Sequence, residues 1–109
     1  MKTFACTLSC FDAALYEGCI VKASLPALDG VVVILPGHAP LLTFLRPGLV
    51  VLTGQDQVQK LWVSSGFAEM GHEGLKILVR DGKFFHEDPR FPEAFQREML
   101  YFEDSNGSF

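Results

Sequence analysis

Turn-forming residues interrupt the first 80 residues of this chain roughly every ten positions, and the segments between them are short and rich in apolar or β-branched residues. That rhythm constrains the fold more than any other feature. It predicts many short strands joined by tight connections, as in an antiparallel sandwich or barrel, rather than alternating strand and helix units. Phe4, Cys6 and Leu8 alternate with Thr3, Ala5, Thr7 and Ser9, a period of two. Cys19, Val21, Ala23 and Leu25 repeat the pattern around Lys22 and Ser24. Asp29-Gly30 is a turn signal, and Val31-Val32-Val33-Ile34 follows it as a β-branched run. Leu49–Leu52, closed by Gly54-Gln55-Asp56, then Leu61–Val63 and Leu75–Val79, complete the set.

After Asp88 the pattern becomes helical. Pro92 suits a first helical position, and Phe91, Phe95, Met99 and Phe102 fall at steps of four, four and three, on one helix face. A short helix is therefore expected over 92–102. The division expected is a β domain over 1–84 and a tail over 85–109.

Composition narrows the function classes. A chain of 109 residues has room for one core. Nine basic against thirteen acidic residues give a net charge of −4, without the basic cluster that phosphate binding needs, so no nucleic-acid partner is expected. The longest strictly apolar run, Val31–Leu35, is far short of the roughly 20 residues of a membrane span. Thr3, Thr7 and Ser9 interrupt any signal-peptide core. Cys6, Cys10 and Cys19, an odd count without that signal, read as free thiols in a reducing compartment.

The cysteines and histidines do not have metal-ligand spacing: there is neither a CxxC nor a His-x3-His pair. Cys6 and Cys19 read as small core side chains. His38, His72 and His86 fall in expected loops, and no nucleophile elbow or glycine-rich phosphate cradle is present. No cofactor and no catalytic residue are expected. The segment Leu35-Pro36-Gly37-His38-Ala39-Pro40-Leu41-Leu42 is more informative. Two prolines bracket a stiff loop that presents His38 beside apolar residues, and a preorganised loop of this kind loses little entropy on docking.

Ile34-Leu35-Pro36-Gly37-His38-Ala39-Pro40-Leu41-Leu42-Thr43, followed by Arg46-Pro47-Gly48, resembles the signature of the epsilon subunit of F-type ATP synthase. Trp62-Val63-Ser64-Ser65-Gly66-Phe67-Ala68-Glu69-Met70 and Leu75-Lys76-Ile77-Leu78-Val79-Arg80-Asp81 are similar to two further blocks of that family, in order and distance. The resemblance implies a mostly β fold, a ten-stranded antiparallel β-sandwich. It implies a non-catalytic rotor subunit of the central stalk that packs on the gamma subunit, sits on the c-ring and helps couple proton flow to ATP synthesis. It also implies a peripheral location on the cytoplasmic face of a bacterial inner membrane, with membrane contact only through the complex.

Carried over residue by residue, the resemblance places His38 and Thr43, with adjacent Leu42, toward gamma. Cys10 stands at a gamma-facing position where the family usually has serine. Val31 stands at a c-ring-facing position where the family often has glutamate, within Val31-Val32-Val33 instead of glutamate-leucine-glycine. Ser65 replaces the first glycine of a usual pair. The family usually ends in a two-helix hairpin that reaches the catalytic head, whereas 28 residues follow Asp81 here, enough for one helix. Contact with the head would run through that tail. The alternative reading is a free-standing β-sandwich interaction module that kept the fold but not the synthase role, and a third, ranked behind it, is a small enzyme that uses Cys10 and His38 as a nucleophile pair. The isolated chain is expected to self-associate through surface that its partners normally cover.

Overall fold

The structure, a computed structural model, describes residues 2–85. The helix expected over 92–102 lies outside the described residues, as does His86. Ten strands follow in order: β1 (Phe4–Cys10), β2 (Ala13–Ile20), β3 (Lys22–Ala27), β4 (Gly30–Ile34), β5 (Leu41–Leu45), β6 (Gly48–Thr53), β7 (Val58–Val63), β8 (Gly66–Gly71), β9 (Gly74–Val79) and β10 (Gly82–Phe84). They form one sheet in the order β10-β7-β6-β3-β5-β8-β9-β1-β2, with β4 on the free side of β3.

The sheet folds over on itself at β3. The first half of β3 pairs with β6, from Lys22↔Thr53 to Ser24↔Val51, and its end meets β5 through Ala27↔Leu45. The Pro26 carbonyl accepts from the Arg46 N–H at 2.9 Å, so a residue with no N–H to donate still joins the seam. A strand that changes partners in this way lets two layers share one continuous ladder. At the far ends the layers nearly meet, because a Cβ at Gly82 of β10 would lie 2.7 Å from Leu15 of β2. The result is close to a barrel.

One expectation about the ladder needs correcting. The pairings are antiparallel except β1 with β9, which run parallel from Cys6↔Leu75 to Ser9↔Leu78, so the sheet is mixed. A hairpin forces antiparallel pairing only on strands that are consecutive, and β1 and β9 are joined by most of the domain. No helix occurs among the described residues.

The inner face is filled as the period of two predicts. Phe4, Cys6 and Leu8 of β1, Val50 and Leu52 of β6, and Leu75, Ile77 and Val79 of β9 are all buried. Each large aliphatic side chain buried in this way contributes about 1.5–3 kcal/mol. Ser64, also buried, ties the end of β7 to the turn before β10: its Oγ accepts from the Asp81 N–H at 2.8 Å.

Cys19 departs from the sequence reading. It is exposed, not in the core. The apparent single run from Cys19 to Leu25 is two strands that break at Val21, whose N–H donates to the Thr53 carbonyl at 2.7 Å. The break shifts the alternation by one residue. Ile20, Ala23 and Leu25 point inward, while Cys19 pairs with exposed Ala5 on the outside.

Cys6 is buried as expected, and burial pushes its thiol up to about 12 from an ordinary 9.0. The unfolded chain releases that proton near the ordinary value and the folded chain does not. The contribution is therefore fully present below about pH 9. Stability falls as pH rises from there toward 12. In titration with a disulfide reagent at neutral pH, Cys19 and then Cys10 are expected to react on the folded chain, and Cys6 only with unfolding. Rapid reaction of all three thiols would contradict this packing.

Candidate functional site

The same alternation that fills the core builds an apolar stripe on the outer face of the layer β5-β8-β9-β1. On β5, Leu45 points inward, so Leu42 and Phe44 point outward, with 61% and 60% of their surface exposed. Phe44 pairs with Phe67 of β8, and Phe67 pairs with Leu78 of β9. On the other side of Phe44, its carbonyl accepts from the Leu28 N–H at 3.1 Å, which brings exposed Leu28 of the β3–β4 turn alongside. Leu28, Phe44, Phe67 and Leu78 thus run across the strands in one row, and Leu42 extends it. Together they expose about 400–500 Å² of apolar surface, the size at which a surface patch is often functional.

The neighbouring row is polar. Leu42 pairs with Glu69, Glu69 with Lys76, and Lys76 with Thr7. Lys76 also forms an exposed ion pair with Glu73 at 3.4 Å. The arrangement is an apolar strip with a charged border, the usual anatomy of a protein contact surface.

The residues singled out from sequence occupy distinct places. His38 lies in the loop between β4 and β5. Its N–H donates to the Leu35 carbonyl at 3.0 Å, and Gly37 supplies the positive φ of 81° that this tight loop requires. The ring Nδ1 lies 2.7 Å from the Ala39 carbonyl, which can only accept, so Nδ1–H is the donor in that hydrogen bond. His38 lines an open cleft of about 450 Å³ beside Thr3, Met70, His72 and Glu73. Among the described residues, no three His, Cys, Asp or Glu side chains come together as metal ligands.

Cys10 is half-buried at the end of β1, with its Sγ 3.6 Å from Asp12 Oδ1 and from the Ala13 carbonyl. The cleft holding His38 borders Thr3–Ala5 at the opposite end of that strand, so Cys10 and His38 are separated by roughly 20 Å along it. Leu42 and Thr43 are adjacent on β5 and therefore face opposite ways. Thr43 pairs with buried Ala68 on the inner side and is half-buried. Val31 sits on β4, 72% exposed, two residues from exposed Val33 and just past the β3–β4 turn that carries Leu28. The structure thus brings Leu42 to the apolar face and spreads His38, Thr43 and Cys10 around the same layer.

Sequence reasoning placed Phe44 among the apolar residues that follow the His38 loop and met Phe67 and Leu78 only as members of two blocks of the family resemblance. It did not join the three, because only strand register aligns them in a row.

The described residues thus combine a filled β core, an apolar outer stripe and a proline-bracketed loop. Residues 3–83 match the family model of the ATP synthase delta/epsilon chain β-sandwich domain. The chain belongs to that family. It is 33% identical over 79 residues to the ATP synthase epsilon chain of Rhodopseudomonas palustris strain BisB18, and 32% identical over 79 residues to that of Nitrobacter winogradskyi. Both alignments cover 72% of this chain and 58% of the relative, so the chain spans little more than half the length of these proteins. The fold also matches a chain in the cryo-EM structure of Euglena gracilis mitochondrial ATP synthase. There the TM-score is 0.76 and the identity 17%, over 97% of this chain and 81% of that one. A chain in the Tetrahymena thermophila mitochondrial central stalk and c-ring structure gives a TM-score of 0.66 at 15% identity, over 98% and 88%.

Proposed function

We propose that this chain is a non-catalytic rotor subunit of a proton-translocating F-type ATP synthase, held in the central stalk between the gamma subunit and the c-ring. Its work is adhesion, and it carries no cofactor. Leu42 lies on the gamma-facing surface, with His38, Thr43 and Cys10 around the same layer, and Val31 faces the c-ring. The location is peripheral, on the cytoplasmic face of a bacterial inner membrane. The observation that carries this reading is the apolar row Leu28–Phe44–Phe67–Leu78 with Leu42, on a domain whose family is that of the delta/epsilon chain.

A rotor subunit acts by holding two bodies together, so its loss should uncouple them without stopping chemistry in the head. In membrane vesicles from a strain lacking this chain, ATP hydrolysis is expected to persist while ATP-driven proton pumping falls at least about tenfold. Pumping that stays in proportion to hydrolysis would contradict the role.

A further inference from the structure

Among the described residues, β2, β10 and β4 each pair along one side only. The first two shield each other where Gly82 packs on Leu15. β4 has no such neighbour, because its one pairing among the described residues is with β3. Exposed edges are usually blunted by lysine, proline, a bulge or a covering element. Here the pairing of β3 with β4 is continuous from Ala23↔Ile34 to Ala27↔Gly30, without a bulge. No Asp, Glu, Lys or Arg occurs between Asp29 and Arg46. Val31, Val33 and Leu35 are all exposed along this edge, and Pro36 ends it.

The edge is also complementary to itself. Suppose β4 pairs antiparallel with a second β4 across a two-fold axis through Val33. Val33 then meets Val33, Val31 lies beside Leu35 of the second copy, and Val32 lies beside Ile34. Every opposed pair is apolar. Asp29 falls opposite Gly37, so no like charges meet. An isologous contact requires this self-match.

We propose that the free chain dimerises by antiparallel pairing of β4 with β4 of a second copy, joining two sheets into one. The contact is small. Five residues per copy bury on the order of a few hundred Å², below the roughly 800 Å² per partner of a standard stable interface. Association is therefore weak and concentration-dependent. The proposal does not rest on the rotor reading, but the two are linked. If Val31 faces the c-ring in the synthase, self-pairing and assembly compete for the same edge.

Sedimentation equilibrium of the full chain tests this. The average mass is expected to rise from 12.1 kDa toward twice that value between about 1 µM and 1 mM. Val33→Lys puts two ammonium groups face to face at the two-fold axis and is expected to weaken association at least tenfold. The side chain at position 33 is exposed, so the variant keeps its fold. Val58→Lys, at an exposed valine on β7, is the control and is expected to leave association unchanged. Amide exchange at 31–35 is expected to slow as concentration rises. A chain that stays monomeric up to 1 mM overturns the proposal. So does a dimer that survives Val33→Lys, or slowing that appears at the Phe44 stripe instead of β4.

Discussion

Phe44→Asp is expected to weaken binding of this chain to its gamma subunit at least about 100-fold while leaving the fold intact. Phe44 lies at the middle of the apolar row, between Leu28 and Phe67, and 60% of its surface is free in the isolated domain. A carboxylate there costs the isolated chain little, since water still reaches it. In a contact that covers the row, the same carboxylate is desolvated without a partner, at a cost of several kcal/mol. Each 1.4 kcal/mol is a factor of ten in affinity, so two orders of magnitude is a low bound. Titration calorimetry gives the affinity, and the thermal midpoint of the variant alone gives the control. Leu42→Asp should act in the same direction but less, because Leu42 borders the polar row of Glu69 and Lys76. Thr43→Asp is a poorer probe: its side chain faces inward beside Ala68, so it would also reduce stability. Unchanged affinity for Phe44→Asp would remove the stripe from the gamma contact.

Gly74→Ala is expected to lower the thermal midpoint by roughly 10–25 °C. Gly74 opens β9 with a φ of 120°, a region open essentially only to glycine. A Cβ there would also overlap the Ala5 carbonyl, at the entry to the parallel pairing of β1 and β9. Backbone strain alone costs about 1–3 kcal/mol, and relieving the overlap must push β1 and β9 apart where the core is filled. In a domain of this size each kcal/mol shifts the midpoint by about 4–8 °C. Gly71→Ala, at the other end of the same turn, is the matched control. No atom lies within 4 Å of its added Cβ, and a shift within about 3 °C is expected. Equal effects at both glycines would contradict the close approach at Gly74.

The residue pattern located β1, β3, β4, β6, β7 and β9, because strands with one buried face leave a period of two, with Phe4-Cys6-Leu8 and Leu75-Ile77-Val79 as clear examples. It passed over most of β2 and all of β5, β8 and β10, whose sequences lack a clean alternation. It misread Cys19, because one residue at Val21 carries the whole bend between β2 and β3 and reverses the phase without a glycine or proline to mark it. It could not give the direction of β9 against β1, since parallel or antiparallel pairing of distant strands leaves the same alternation in each. The site was legible only in part. His38 and Leu42 stand in a motif, whereas the stripe of Phe44, Phe67 and Leu78 comes from three strands aligned by register, which no local stretch encodes.

Size-exclusion chromatography of the unmodified chain with the gamma subunit from the same organism is the most direct test of the central claim. A stable one-to-one complex at micromolar concentration, lost with Phe44→Asp, is the predicted result. Separate elution of the two proteins at that concentration would contradict the rotor role and leave the family membership as a statement about the fold.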